Sequence, residues 1–290
     1  MNSEALDRAV NADPKTVAGF GEEWRHFPQV TVDRDERQRA FKSYFRIFPW
    51  HLLPADGGRG ADIGCGSGRW AALVAPRVRE LHLIDASDAA LDVARNVLRG
   101  MTNVEFHRTS VDAMPLDDGM LDFAYSLGVL HHVPDTGAAL RSIAAKLKPG
   151  APLLVYLYYA FDNRPAWYRA LWRVSNSVRK GIARMPFIGR LAISSVIAVI
   201  VYFPLATIGA LLDRVGVMPP NWPLAYYRDK SFYTMRTDAL DRFGTRLEQR
   251  FTRKQIESML LDAGLVDINF AESAPYWCAV AFKRKEPVET

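Results

Sequence analysis

The 290-residue chain is poor in cysteine, and its two thiols, Cys65 and Cys278, lie far apart in the sequence. Two cysteines at that separation provide neither a disulfide framework nor a thiolate zinc site by spacing. No group of His, Cys, Asp and Glu residues shows metal-ligand spacing, so the sequence predicts no metal ion. A chain without disulfides is typical of a reducing compartment.

The first 15 residues also lack an apolar run, and they mix acidic with basic side chains. This pattern is not that of a secretion signal or a transit peptide, so we expect a cytoplasmic location. With 49% hydrophobic and 24% charged residues, the chain is not of a disordered or low-complexity type. Its length accommodates two average domains or one enlarged α/β domain.

Acidic residues are missing from positions 163–212, whereas the other 240 residues carry a net charge of −2. No nucleic-acid-binding module accompanies this local positive charge, so we expect no nucleic-acid partner. The bases of the segment are Arg164, Arg169, Arg173, Arg179, Lys180, Arg184 and Arg190.

Short apolar runs alternate with amphipathic stretches over residues 57–160, and the alternation resumes at 251. Such alternation indicates βαβ units and a parallel sheet. Thr252 and Gln255 have the spacing of a capping box, and Gly264 is placed to end that helix. We therefore divide the chain into an N-terminal helical cover (1–56), a core (57–160), a basic and apolar helical insertion (161–250) and a C-terminal part of the core sheet (251–290).

A glycine-rich loop, Asp62-Ile63-Gly64-Cys65-Gly66-Ser67-Gly68, lies between an expected strand and an expected helix. Glycines let a ligand approach the backbone, and a helix N-terminus attracts a negative group. Asp85 ends the next strand, where α/β cofactor sites hold a ribose diol. Position 69 is Arg rather than Gly, which weakens a dinucleotide fingerprint, and the G-K-[ST] of a P-loop is absent.

Five segments in order resemble the motifs of the class I S-adenosylmethionine-dependent methyltransferases: ADIGCGSGRW, LIDAS, SVDAMPL, LDFAYSLGVLHHVPD and LKPGAPLLVY. The resemblance covers residues 57–160 and 251–284, nearly half of the chain. It implies an α/β fold with a Rossmann-like, mostly parallel seven-stranded sheet and helices on both faces, to which the insertion adds a helical cap. It also implies S-adenosylmethionine as the cofactor.

The same resemblance implies roles for individual residues. The glycine loop would cradle the methionine moiety, with Asp62 holding its ammonium group and Asp85 holding the ribose. Asp112 would accept from the adenine amino group beside Ala113. The full set implied to bind the cofactor is Asp62, Gly64, Cys65, Gly66, Gly68, Asp85, Ala86, Asp112, Ala113, Ser126 and Leu127. Trp24 and Arg25 of the N-terminal cover are further candidates to close over it.

His131 and His132 follow the strand 122–126 and are the candidate catalytic residues. A hydroxyl, amine or ring-carbon acceptor must lose a proton during methyl transfer, whereas a thiolate need not. The alternative is that one of these histidines hydrogen-bonds to the backbone and packs. His26 and His51 are isolated in the sequence, and we interpret them as structural or exposed.

Residues 191–212 form a run of 22 uncharged residues, long enough for a membrane helix to be considered. A single span would separate residues 251–284 from the sheet that they complete, so topology argues against it. Pro204 and Gly209 can instead divide the run into two helices that form a hairpin, a lid or an interfacial element. With the bases of 164–190, segment 164–212 suits an anionic membrane surface; the alternative is a buried helical cap.

We expect the protein to methylate oxygen, nitrogen or carbon of a small, hydrophobic or lipid-linked acceptor. By resemblance, the acceptor pocket would be lined by Tyr226, Tyr227, Tyr233, Met235 and Arg236. The SLGV sequence of the fourth motif, in place of an N-P-P-Y type, argues against protein or nucleic-acid substrates. Two alternatives remain: non-methylating chemistry such as decarboxylation or cyclisation, and a non-catalytic, membrane-associated partner protein that binds the cofactor.

Overall fold

A computed structural model describes residues 11–28 and 32–285. The chain forms two compact units. The first, here called the sheet unit, contains the described residues of 11–28, 40–160 and 247–285. The second, the helical unit, contains residues 32–39 and 161–246.

The regular elements follow each other in chain order. The helices are α1 (Pro14–His26), α2 (Arg34–Tyr44), α3 (Ala71–Val74), α4 (Asp88–Val97), α5 (Thr136–Lys146), α6 (Ala166–Ile182), α7 (Phe187–Ile197), α8 (Phe203–Arg214), α9 (Phe232–Gly244) and α10 (Arg253–Asp262). The strands are β1 (Arg59–Ile63), β2 (Glu80–Asp85), β3 (Val104–Arg108), β4 (Phe123–Leu127), β5 (Pro152–Tyr156), β6 (Leu265–Phe270) and β7 (Cys278–Lys283).

The sheet unit is built on one seven-stranded sheet in the order β3-β2-β1-β4-β5-β7-β6. Strands β1 to β5 run parallel, and β7 is antiparallel to both β5 and β6. This order reverses direction between β1 and β4, so the ends of these two strands border a crevice at the carboxyl edge. The expected Rossmann-like fold is confirmed.

Helices cover both faces of the sheet because each face of a buried strand is apolar. One face packs Ile63 and Leu153 with Leu140 of α5 and Leu260 of α10 in a single buried cluster. On the other face, α3, α4 and the aromatic residues Phe41, Phe45 and Phe48 cover Leu81, Leu83 and Tyr125.

Helix α10 begins as the sequence predicts. The Thr252 hydroxyl accepts from the Gln255 backbone N–H, and the Gln255 side chain accepts from the Thr252 N–H, which completes the capping box. Gly264 follows with a φ of +76°, a conformation that terminates helices at low cost for glycine.

Within the helical unit, the expectation that Pro204 divides the apolar run into a hairpin is wrong. The chain stays helical from Phe187 to Arg214, with a π-helical segment at Ala198–Tyr202 between α7 and α8. Pro204 lies in the first turn of α8, and the wider π turn before it accommodates the missing backbone N–H. The buried core of this unit joins Ala198, Tyr202 and Ala206 to Met235 and Ala239 of α9.

Much of this long helix is exposed. In its most apolar stretch the mean hydropathy is 2.3 and only 22% of the residues are buried. Phe187–Arg214 is the one helix in the described ranges that is long and apolar enough to cross a membrane. Ile188 is 80% exposed and Ile200 is 64% exposed, so these side chains belong to the surface of the helical unit and not to its core.

Candidate active site

The carboxyl ends of three neighbouring parallel strands bring the predicted site residues to one edge of the sheet. The glycine loop follows β1, Asp85 ends β2, and a turn at Leu130–His132 follows β4. Gly64 and the residue before that turn are in close contact: a Cβ on Gly64 would lie 2.3 Å from a methyl carbon of Val129. The loop and the histidine turn therefore lie next to each other.

The conformation of the loop requires glycine. Gly64, Gly66 and Gly68 have φ values of +74°, +53° and +72°, which L side chains rarely adopt. At Gly68 a Cβ would be 3.1 Å from the Cβ of Ala94 on α4, so the loop packs tightly against that helix. Glycine spacing in this motif thus reflects both backbone conformation and close packing.

Asp85 closes this loop onto the end of β2. One of its carboxylate oxygens accepts from the Gly66 N–H at 2.9 Å, and the other accepts from the Ser87 N–H at 2.9 Å. Burial raises the pKa of Asp85, while these two backbone donors lower it. These two hydrogen bonds hold the Asp85 carboxylate in a fixed orientation beside the loop. A fixed orientation suits a carboxylate that accepts from both hydroxyls of a diol.

Asp62 is only 2% exposed and accepts from the hydroxyl of Tyr125 at 3.0 Å. The two residues are direct neighbours in the register of β1 and β4. Burial raises the pKa of Asp62 to about 7, and the negative charge of Asp85 adds to that rise, while the Tyr125 hydroxyl and Arg69 oppose it. A buried carboxyl of this kind is poised to ionise when a cation such as an ammonium group approaches.

Two further features show that this loop fits S-adenosylmethionine. The Ser67 hydroxyl is buried and has no hydrogen-bond partner among the described residues, so it is available to a polar ligand. The indole of Trp24, on α1, covers the loop: its nearest atom would be 3.0 Å from a Cβ on Gly66. A bare backbone, a buried hydroxyl and two oriented carboxylates match the polar groups of the cofactor.

The other residues implied to bind the cofactor surround this centre. Cys65 is buried, and burial raises the pKa of its thiol. Ala86 is half-buried between Asp85 and Ser87, and Leu127 is buried at the end of β4. Asp112 and Ala113 are exposed in the loop after β3, where the Ser110 hydroxyl donates to Asp112 at 2.5 Å.

Ser126 uses its hydroxyl to tie β4 to β1. Its Oγ donates to the carbonyl of Ile63 at 3.0 Å, and the residue is fully buried. A direct contact between Ser126 and a cofactor stays a prediction.

The two histidines have opposite tautomers, set by their backbone partners. His131 Nδ1 accepts from the Tyr158 N–H at 3.4 Å, so the ring hydrogen of His131 is on Nε2. This Nε2 atom is buried and has no hydrogen-bond partner among the described residues. His132 Nδ1 lies 2.6 Å from the carbonyl of Leu247 and must donate to it, which places the lone pair on Nε2. His132 is therefore the one of the two that can accept a proton at Nε2.

Both rings are held by packing. His131 is stacked on Tyr158 with centroids 3.7 Å apart, and His132 lies 4.0 Å from His131 and 4.9 Å from Phe20. Burial lowers the pKa of His131 well below its usual range, with a further contribution from His132. His131 is thus a neutral hydrogen-bond donor at neutral pH.

The five residues predicted to line the acceptor pocket belong to the helical unit. Met235 is buried in the core of this unit, and the Tyr227 hydroxyl donates to Asp238 at 3.0 Å. Lys230 lies over the ring of Tyr226, and Arg236 donates to Ser195. Tyr233 is half-buried in the first turn of α9. Contact of these residues with an acceptor stays a prediction.

Sequence analysis did not single out Ser67 or Tyr125 of the sheet unit as candidate site residues. Ser67 is an ordinary residue within the glycine motif, and only its burial without a partner marks it. Tyr125 contacts Asp62 because β4 lies beside β1 in the sheet. The sequence position of a strand does not reveal its neighbours, so no local signal could have identified this contact.

Comparison with known proteins identifies the family of this chain. Residues 61–150, which include the glycine loop and Asp85, match the protein family described as "Methyltransferase domain". The chain is 30% identical over 200 residues to the ubiquinone/menaquinone biosynthesis C-methyltransferase UbiE of Pasteurella multocida, a match that covers 54% of this chain and 74% of that protein.

A ubiquinone biosynthesis O-methyltransferase of Albidiferax ferrireducens is 28% identical over 172 residues, which cover 56% of this chain. The chain spans 64% of the length of that relative and 52% of a second one, from Marinobacter nauticus, which is 33% identical over 125 residues and matches 40% of this chain.

Among solved structures, a chain of the complex between the Haloferax volcanii Trm112 methyltransferase activator and a methyltransferase has the same fold. It aligns with a TM-score of 0.50 and 13% identity over 91% of this chain and 97% of that one. The motif order, the site geometry and these relatives lead to one conclusion: the chain belongs to the class I S-adenosylmethionine-dependent methyltransferases.

Proposed function

We propose that this protein transfers a methyl group from S-adenosylmethionine to oxygen, nitrogen or carbon of a small, hydrophobic acceptor. The observation that carries the proposal is the closed loop, in which the Gly66 N–H donates to Asp85 beside the buried carboxyl of Asp62. The named relatives in ubiquinone and menaquinone biosynthesis support an apolar ring or a lipid-linked molecule as the acceptor.

When bound, S-adenosylmethionine supplies an activated sulfonium methyl group. Asp85 binds the ribose hydroxyls, Asp62 binds the ammonium group in its ionised form, and Ser67 donates to or accepts from the ligand within the loop. Asp112 binds the adenine amino group. The Trp24 ring excludes water from the glycine loop, which strengthens each of these polar contacts.

His132 is the general base in this proposal, for acceptors that must lose a proton. Its Nδ1–H···O bond to Leu247 keeps the lone pair on Nε2 and stabilises the imidazolium that forms when Nε2 takes a proton. His131 is a hydrogen-bond donor and positions the neighbouring ring by packing against it.

The proposal is tested with methyl-labelled S-adenosylmethionine and two fractions of a source-cell extract, total lipid and water-soluble metabolites. We expect S-adenosylhomocysteine to form and label to appear in the lipid fraction. Label in the water-soluble fraction would contradict a hydrophobic acceptor. Methyl transfer would be contradicted by a product that lacks the labelled methyl group. It would also be contradicted if the protein binds S-adenosylmethionine but converts it with neither fraction.

We further infer that the protein works at the cytoplasmic face of an anionic membrane, docked through segment 164–212. The long helix exposes Val196, Val199 and Ile200, each at least half exposed, and positions 163–212 carry seven bases and no acid. Four of these bases, Arg169, Arg173, Lys180 and Arg184, are exposed. Exposed apolar side chains in the same segment as exposed bases suit a leaflet of anionic lipids.

Docking along the surface is favoured over a single span. Strand β5 precedes this helix in the chain and β7 follows it, yet both strands pair within one sheet. A single crossing would place them on opposite sides of the bilayer. Surface docking leaves both strands in the same compartment and brings the enzyme to lipid-soluble acceptors.

A further inference from the structure

Three potential metal ligands meet on one face at the edge of the sheet. His82 is on β2, and Glu105 and His107 are on the edge strand β3. In the register of these parallel strands His82 is opposite Glu105, and alternation along β3 places Glu105 and His107 on the same face. These residues are 23 and 25 positions apart in the sequence, so no spacing motif reveals them.

Their ligand atoms all lie within 4.8 Å of one another, near the spacing on one face of a zinc tetrahedron. His82 Nδ1 is 3.0 Å from His107 Nε2 and 3.5 Å from one oxygen of Glu105, whose other oxygen is 3.7 Å from His107 Nε2. Ligands about 2.0–2.1 Å from a tetrahedral ion are roughly 3.3 Å apart. A cation can therefore bind at this face with little movement of the side chains.

A second carboxylate lies beside the inner histidine. His82 Nε2 lies 3.2 Å from Glu80 Oε1, and the other oxygen of Glu80 accepts from Arg59 Nε at 2.6 Å. The contact between His82 and Glu80 lacks hydrogen-bond geometry, and the buried Nε2 has no hydrogen-bond partner among the described residues. A proton on Nε2 would leave the Nδ1 lone pair directed at His107 and Glu105, and a carboxylate beside the other ring nitrogen is typical of the outer shell of a zinc ligand.

We propose that His82, Glu105 and His107 bind a divalent transition-metal ion of the zinc type. Two imidazoles and one carboxylate are a donor set that zinc accepts and that magnesium and calcium, which prefer oxygen ligands, do not. The side chain of Glu105 is 61% exposed, so the fourth position faces solvent and takes a water molecule.

The role of this site is to join strands. His82 lies three residues before Asp85 on β2, about 10 Å along an extended strand, so the ion would not contact the cofactor loop. It would instead link the edge strand β3 to β2, whose end carries Asp85. The proposal concerns stability of this edge and does not depend on the proposed methyl transfer.

The test uses full-length, tag-free protein freed of metal with a chelator and then titrated with zinc chloride by calorimetry and by thermal unfolding. We expect one equivalent of zinc to bind, with a rise in Tm of roughly 4 °C at about 100 times Kd. Magnesium chloride at the same concentration should give no such rise.

The variants His107→Gln and Glu105→Gln, at the more exposed ligands, should weaken zinc binding at least tenfold by removal of one ligand. His51→Gln, at an exposed histidine in the turn Trp50–Leu52, is the matched control and should bind as the unaltered protein does. Absence of saturable zinc binding, or equal affinity in His107→Gln and His51→Gln, would overturn the proposal.

Discussion

The hydroxyl of Tyr125 donates to the carboxyl of Asp62 at 3.0 Å, between two adjacent strands and away from solvent. This single hydrogen bond does not offset the cost of burying the carboxylate, because the pKa of Asp62 is raised to about 7. The ionised form of Asp62 is therefore destabilised in the position where the ammonium group of the ligand is expected. Ionisation of Asp62 lowers the stability of the fold but favours binding of that ammonium group.

The first prediction concerns stability against pH. An acid whose folded-state pKa is about 7, above its ordinary value of 3.8, binds more protons in the folded state, so stability falls as pH rises between these values. Between about pH 5 and about pH 8 this residue should remove on the order of 2.5 kcal/mol from the free energy of unfolding.

Asp62→Asn should abolish that contribution and make the protein more stable than the unaltered chain at about pH 8. Urea-induced unfolding at both pH values measures the difference, with Asp117→Asn, an exposed loop carboxylate, as the control. If the free energy of unfolding falls equally in the Asp62→Asn and unaltered proteins between these pH values, the ionised Asp62 carboxyl does not destabilise the fold.

The second prediction concerns the loop acid. Asp85→Asn loses the charge that accepts from Gly66 and binds the ribose, so affinity for S-adenosylmethionine should fall roughly tenfold to a hundredfold. Isothermal calorimetry with S-adenosylmethionine and S-adenosylhomocysteine measures both affinities. Asp92→Asn, at an exposed acid of α4, should leave them unchanged. Retention of full affinity by Asp85→Asn would place the cofactor elsewhere.

The third prediction separates the two histidines. His132→Gln removes the proposed base and should lower kcat about 10²- to 10⁴-fold, with the Kd for S-adenosylmethionine unchanged. His131→Gln should have a smaller effect on kcat, because the neutral ring of His131 presents a donor at Nε2. Equal losses in both variants would mean that the pair acts only through packing.

The fourth prediction concerns the exposed helix. Introducing charge with Val199→Asp and Ile200→Asp together should reduce binding to vesicles containing anionic phosphatidylglycerol about tenfold or more. Leu261→Asp, at an exposed apolar residue of α10, is the control and should sediment with vesicles as the unaltered protein does. Equal binding to purely zwitterionic vesicles would contradict the role assigned to the exposed bases of segment 164–212.

The sequence alone predicted the order of strands and helices in the sheet unit, the glycine loop and Asp85. These features depend on local patterns: strand alternation, glycine at positions with positive φ, and a carboxylate at the end of a strand. The capping box at Thr252 was likewise visible, because its two hydrogen bonds connect residues only three positions apart.

Only the tertiary structure decided which side chains meet across strands and how the apolar run folds. Tyr125 reaches Asp62, and His82 reaches Glu105 and His107, because the sheet places strands side by side that are distant in the chain. The tautomer of His132 depends on a carbonyl 115 residues away. Pro204 remains within a helix because a π turn accommodates it. Local sequence patterns therefore predicted the residues of the candidate site, whereas long-range backbone geometry determined its charges, proton positions and cross-strand contacts.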